Sequence, residues 1–424
     1  MGPFQYREDR LFAEEVSLAD IAERFGTPTW VYSTAAITAA YDEFADAAAG
    51  RRVLVCYALK ANSNLAVIDL LARRGAGFDI VSGGELQRVI AAGGDPSRVV
   101  FSGVGKQRDE MRIALEAGVR CFNVESESEL RRLDEVAGSL GRRAPVSLRV
   151  NPDVDPDTHP YISTGLRESK FGIAHDDARR IYALAASLPN LAVEGIDCHL
   201  GSQITSMAPF LSALDKILEL VDVLDRDGIP LRHLDLGGGL GIRYRNETPP
   251  SRLALLEAVF ERLDRHPRGA GLEVLFEFGR SIVGNAGVLL TRVEYLKAQG
   301  DRRFAVVDAA MNDLMRPALY EAWHDVLPVG SGAGGEPGTW DVVGPVCESG
   351  DWLARGRQLA VAEGDLLAIM SAGAYGMTMS SNYNTRGRGA EVLVDGDRFA
   401  VVTARESYDD LVRLEVADPQ WRTA

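Results

Sequence analysis

Eight short apolar, β-branched runs recur between residues 53 and 279 with helix-like segments between them, and this alternation directs the chain toward a parallel-sheet fold. The runs are VLVCYAL (53–59), GFDIVS (77–82), RVVFSG (98–103), RCFNVES (120–126), PVSLRVN (145–151), VEGIDCHLGS (193–202), HLDLGGG (233–239) and LEVLFEFG (272–279). Between the first five, segments such as NLAVIDLLARR (64–74) and GELQRVIAAGG (84–94) have the length of a crossover helix. The later connections are longer, but LDKILELVDVLDRDG (214–228) is again amphipathic. Eight strand–helix units over this span match a (β/α)8 barrel of about 250 residues, with a doubly wound sheet as the alternative. The barrel is favoured because each apolar run ends in polar or glycine residues: Lys60, Ser82, Ser102, Glu125, Asn151, His199, Gly237 to Gly239 and Glu277. Those positions form the C-terminal rim, where barrel enzymes build their sites.

The texture changes after about residue 280. GVLLTRVEYLKA (287–298), RFAVVDAAM (303–311), WDVVGPVC (340–347), GDLLAIMSAGAYG (364–376) and RGAEVLVDGDRFAVVTA (388–404) show strand-like alternation and turn signals with little helix. A mostly antiparallel β-domain is predicted, with VDGD (394–397) as a hairpin turn and GSGAGGEPG (330–338) as a surface loop. The expected boundaries are 35–280 for the barrel, and 1–34 with 281–424 for the β-domain.

Composition narrows the function classes. An apolar share of 46% with 25% charged residues supports a folded core rather than disorder. The balance of 46 basic against 61 acidic residues, net −15, argues against nucleic acid as a partner. No apolar run has the length of a bilayer span, and MGPFQYREDR lacks the apolar stretch of a secretory signal, so no membrane partner and a cytoplasmic location are expected. Cys56, Cys121, Cys198 and Cys347 have neither a disulfide framework's density nor zinc-ligand spacing; free thiols and no bound metal are expected.

Several residues stand where chemistry is possible. Lys60 follows the first run directly; partial burial there would depress its pKa and free an amine able to form a Schiff base. GGGLG (237–241) suits either a phosphate cradle or a tight turn. It is not the dinucleotide fingerprint, since Ile242 stands where glycine is required, and FSGVGK (101–106) fails as a P-loop at Val100 and Gln107. His199 and Ser202 lie three residues apart and could face one ligand. Glu277, an acid leaving an apolar strand, needs a partner: Arg280 in a structural pair, or a cationic ring nitrogen. Three later segments, MRPALY (315–320), CESGD (347–351) and SAGAYG (371–376), carry more functional groups than loop closure needs.

Taken in order, YALKAN, GFDIVSGGE, HPYISTGLRESKFGI (159–173), HLGSQ, DLGGGLG, E-x-G-R (277–280), RPALY, GPVCESGD (344–351) and SAGAYG resemble the diaminopimelate decarboxylases. These are pyridoxal-phosphate decarboxylases of the alanine-racemase fold, and the likeness runs from about residue 10 to 415. It implies that Lys60 carries pyridoxal 5'-phosphate covalently and that His199 stacks on the cofactor ring. Asp79, Gly238 and Gly279 are placed by the same resemblance among the cofactor contacts, and Ser202, Gly239 and the backbone of 277–280 in the phosphate cradle. Glu277 is similar to the acid on the pyridine nitrogen, and Tyr375 to a residue touching both cofactor and substrate. Arg280, Arg316 and Tyr320 look like the clamp on the substrate's distal carboxylate, Glu348 the partner of its distal ammonium, and Cys347 the proton donor, with a nearby water as the alternative.

The resemblance further implies a homodimer whose CESGD segment completes the neighbour's site. The implied reaction is decarboxylation of meso-2,6-diaminopimelate to L-lysine and CO2, the last step of lysine biosynthesis. Phe278 departs from the usual proline of E-P-G-R and would set a bulky ring near the phosphate. It motivates the rival of a related decarboxylase acting on another amino acid, free or bound to a carrier protein. A racemase-like activity and a non-catalytic cofactor carrier are disfavoured, because the residues after the barrel carry RPALY and CESGD.

Overall fold

The computed structural model describes residues 2–155, 170–330, 335 and 337–422. They fall into two compact units, one of Ala35–Ala286 with Gly373–Thr378, the other of the chain up to Thr34, Gly287–Ala372 and the chain from Met379.

The first unit is a closed parallel barrel. Its strands one to eight are Val53–Ala58, Gly77–Ile80, Val99–Phe101, Cys121–Val124, Ala144–Asn151, Leu191–Asp197, His233–Asp235 and Glu273–Phe278. Each pairs with the next in sequence, and strand eight closes on strand one with Glu277 opposite Cys56. Helices follow strands one to seven, and those after strands one, two, four and seven start at a polar residue whose side chain caps them. Asn64, Ser82, Ser126 and Ser251 accept backbone N–H groups from the first turn of theirs. Strand eight is followed only by the four-residue Arg280–Val283, so the expected eighth strand–helix unit is incomplete. The cover for strand eight comes from ahead of strand one: Phe44 of helix Thr34–Ala47 stacks on Phe278 with ring centroids 3.9 Å apart.

Strand pleating sorts the side chains into layers. Leu54, Cys56, Val100, Cys121 and Leu275 form one buried cluster, which explains why these thiols pack rather than react. Burial pushes both the Cys56 and Cys121 thiols well up.

The second unit holds a nine-stranded sheet in which antiparallel pairs dominate. Thr29–Ser33 lies between Gly287–Gln299 and Ala390–Asp395, so N-terminal residues complete this sheet. The hairpin at Asp395 joins Ala390–Asp395 to Arg398–Thr403 around Gly396, whose φ of 63° is left-handed. Against the expected boundary at residue 280, residues 281–286 and Gly373–Thr378 pack with the barrel. Residues 159–169 of the HPYISTGLRESKFGI motif, and residues 331–334 and 336 of the glycine-rich loop, lie outside the described residues. Among the described residues no helix is long and apolar enough to cross a membrane.

Candidate active site

Lys60 lies in the turn Leu59–Ala61 at the C-terminal end of strand one, its Nζ 2.5 Å from Asp79 Oδ2 on strand two. The lysine side chain is one-third exposed and Asp79 is fully buried. Burial lowers the amine's pKa, but the charges of Asp79 and Glu277 outweigh it and the net direction is upward. The depressed lysine expected from partial burial alone is therefore corrected: a carboxylate on the adjacent strand holds the ammonium form. The other oxygen of Asp79, Oδ1, is buried with no partner among the described residues.

Deeper in the same mouth, Glu277 is buried. Its Oε1 accepts from Ser102 Oγ at 3.2 Å and Asn123 Nδ2 at 3.3 Å. His199 stands beside it, Nδ1 3.9 Å from Glu277 Oε2. That Nδ1 accepts the Gly238 N–H at 3.1 Å, so the neutral ring carries its proton on Nε2. Burial, then the charges of Arg149 and Lys60, pulls the histidine well below its ordinary pKa.

Arg280 is not the partner of Glu277. It donates to Tyr244 Oη at 2.6 Å and to Ser202 Oγ at 2.9 Å, with its guanidinium 4.7 Å from the centre of the Tyr375 ring. Tyr375, at a left-handed φ of 55°, donates its N–H to the Ala61 carbonyl at 2.7 Å, which ties this cluster to the turn carrying Lys60. Strain of this kind in a non-glycine residue concentrates at functional sites.

The glycines at the end of strand seven are fixed by close approach. A Cβ on Gly238 would stand 2.0 Å from the Glu277 carbonyl oxygen, and one on Gly239, at φ 98°, 2.3 Å from the Gly201 carbonyl oxygen. Only glycine lets these loops meet around the mouth. Gly279 packs less tightly, a Cβ there standing 2.9 Å from the Ala61 Cβ and 3.2 Å from that of Ala58. Phe278 does not crowd that mouth, contrary to the expectation that its ring lies near a phosphate. With Glu277 turned inward, Phe278 turns outward, stacked on Phe44 and Phe276 and fully buried. The motive for the rival decarboxylase is thereby removed.

The remaining candidates belong to the second unit. Arg316 opens helix Arg316–Tyr320, is buried, and donates to His324 Nε2 at 2.8 Å while His324 Nδ1 donates to the Met370 carbonyl. Tyr320 ends that helix and is half-buried. Cys347 is exposed, with its N–H donated to Asn384 Oδ1 at 3.3 Å, and Glu348 accepts from the Tyr383 hydroxyl. Asp351 shapes the loop that carries both by accepting the N–H groups of Met311 at 2.7 Å and Val346 at 2.8 Å.

Sequence reasoning missed Tyr244, Asn123, Arg149 and Tyr383. Tyr244 follows GGGLG closely, and Asn123 is a polar residue inside an apolar run; both were available signals. Tyr383 had none, since it reaches Glu348 only through the fold.

A family model for the pyridoxal binding domain of pyridoxal-dependent decarboxylases matches residues 34–284. Diaminopimelate decarboxylase of Pseudomonas aeruginosa is 63% identical over 420 residues, covering 99% of this chain and all of that one. The crystal structure of the Helicobacter pylori enzyme complexed with L-lysine is 40% identical, with a TM-score of 0.89 over 94% of this chain and 98% of that one. That of the M. jannaschii enzyme in co-complex with L-lysine is 37% identical, with a TM-score of 0.93 over 98% of each. With its lysine, its buried acid and its glycine-lined mouth on a barrel this similar, the chain belongs to the diaminopimelate decarboxylase family.

Proposed function

We propose that this chain converts meso-2,6-diaminopimelate to L-lysine and CO2 using pyridoxal 5'-phosphate attached at Lys60. The observation that carries the reading is the placement of Lys60, 2.5 Å from Asp79, in one barrel mouth with the buried Glu277. The residues fit the cofactor. Asp79 Oδ1 is a buried acceptor with no donor among the described residues, and Gly238 and Gly239 let backbone close around the mouth where a Cβ would collide with the Glu277 and Gly201 carbonyls. When bound, pyridoxal phosphate supplies an electron sink for the carbanion left by departing CO2.

The chain's own residues do the rest. Lys60 Nζ would hold the cofactor, and Asp79 Oδ2, at 2.5 Å, is the group placed to take the proton that this nitrogen would have to give up. Glu277, with Ser102 and Asn123 as donors, offers a fixed negative charge to a protonated ring nitrogen. His199, neutral and anchored by Gly238, presents an imidazole face suited to stacking. Ser202, Gly239 and the backbone of 277–280 receive the phosphate, with Arg280 holding the Ser202 hydroxyl in place. Tyr375 borders both cofactor and substrate.

Specificity follows from paired charges. Arg280 and Arg316 with Tyr320 suit a distal carboxylate and Glu348 a distal ammonium, so a substrate with a zwitterionic far end is matched at both. Cys347 Sγ, or a water beside it, delivers the proton that replaces CO2 on the α-carbon. Supply of Cys347 and Glu348 by the second subunit of a homodimer, and a cytoplasmic location, are part of the same reading.

The deciding assay measures lysine and CO2 released from meso-diaminopimelate by the cofactor-loaded protein. Stoichiometric release is expected. No turnover of this substrate alongside good turnover of another amino acid would overturn the assignment.

A further inference from the structure

Beneath the mouth, three acids meet at the ends of adjacent strands: Asp197 on strand six, Asp235 on strand seven and Glu277 on strand eight. One carboxylate oxygen from each lies within 4.8 Å of the others, and all three side chains are buried. The neighbouring charges do not balance them. Asp79 and Glu125 add two more acids, and the cations facing the group are Lys60 and Arg149. Lys60 is taken by Asp79 at 2.5 Å; Arg149 contacts Glu125 at 3.2 Å and reaches Asp197 only at 3.9 Å. His199 adds no charge because it is neutral, and Cys56, Cys121, Cys198 and Tyr182, also facing the cluster, are buried groups pushed upward. Like charges this close in a dry interior cannot all be ionised.

We propose that Asp197 and Asp235 hold a proton in common beneath Glu277, making the aspartate pair a positioning device that keeps Glu277 ionised toward the ring nitrogen. The donors single out Asp197 as the acid least supported as an anion, with Asp235 its neighbour on the adjacent strand. Glu277 accepts from Ser102 and Asn123, both of which favour its anion. Asp235 accepts the Gly237 N–H at 3.0 Å and a longer contact from Asn123 at 3.4 Å. Among the described residues Asp197 Oδ1 has no partner, and neither does the buried Oδ1 of Asn123, whose amide nitrogen already reaches Asp235 and Glu277. An acid proton supplies the donor that these oxygens lack. Burial and the mutual charges push all three acids upward, Asp235 to about 8 and Asp197 and Glu277 well above the carboxylate range, so the cluster as a whole holds a proton and the hydrogen-bond donors distinguish its members. The proton itself follows from the cluster alone; its service to the ring nitrogen rests on the reading of Glu277 given above.

The test is infrared difference spectroscopy of the holoenzyme between neutral and alkaline buffer. A carbonyl band of a protonated carboxylic acid is expected at neutral pH and should vanish on alkalinisation. Protein labelled with carboxyl carbon-13 aspartate should shift that band, and Asp197→Asn or Asp235→Asn should abolish it. Absence of the band in wild-type protein, a band that ignores aspartate labelling, or one that survives both substitutions would overturn the proposal. The wild-type and isotope arms do not depend on the variants folding. Glu277→Gln separates the two claims, because an unaltered visible cofactor spectrum in that variant refutes the reading of Glu277 without touching the infrared assignment.

Discussion

Replacing Gly238 by alanine tests whether the mouth is built by backbone contact. The added Cβ would stand 2.0 Å from the Glu277 carbonyl oxygen, against a limit of 3.0 Å that real Cβ contacts essentially never cross. The Glu277 carbonyl, or the loop carrying Gly238, must therefore move by at least about 1 Å in an interior with no slack. Both directions damage the site, since one shifts Glu277 and the other withdraws the N–H that anchors His199. A displacement of about 1 Å in an aligned group costs on the order of 100-fold in rate, equivalent to about 2.7 kcal/mol. Overpacking costs about 1–3 kcal/mol of stability, a fall in Tm of roughly 2–12 °C for a domain this size. Cofactor titration by visible absorption, steady-state kinetics and thermal melts measure the three effects. Gly105→Ala is the control, because a Cβ there meets nothing within 4 Å and should change stability by less than about 0.5 kcal/mol. Wild-type cofactor affinity and rate in Gly238→Ala would refute the argument.

Mixing Lys60→Ala subunits with Glu348→Ala subunits should restore part of the activity if sites are shared, because one hybrid site is then intact; no recovery despite proven exchange places each site within one chain. Phe278→Leu should lower stability by about 1–2 kcal/mol through the lost stack on Phe44 and leave substrate choice unchanged, so a changed preference would give that ring a role in the chemistry. The pH dependence of cofactor-free stability follows from Asp235, which burial and then the Asp197 charge push from 3.8 to about 8. The folded state holds a proton there that the unfolded state has lost. Stability from this group should fall as pH rises from about 4 to about 8, by up to 1.36 kcal/mol per unit, and Asp235→Asn should flatten that slope in denaturant titrations.

The barrel was legible because its signals are local. Apolar β-branched runs end in rim residues, and capping residues such as Ser82 and Ser126 start the helices that follow. All eight runs coincide with barrel strands. The cover of strand eight was not legible, since Phe44 meets Phe278 across more than two hundred residues and no local pattern encodes that contact. Pleating explains the error over Phe278: one residue beyond an inward acid must point outward, a rule that strand periodicity already contained. The direction of the Lys60 shift was hidden for a different reason. Burial can be inferred from an apolar run, but the oxygen of Asp79 at 2.5 Å comes from the pairing of strands one and two. The roles of Arg280 and Tyr244 emerged only when loops distant in sequence converged.

The central claim is the covalent attachment of the cofactor to one particular amine. Borohydride reduction of the cofactor-loaded protein, followed by proteolysis and mass mapping, tests it directly. The label should appear on the peptide containing Lys60, and Lys60→Ala protein should take up none. Label on a different lysine, or wild-type protein that carries no label after loading, would contradict the account.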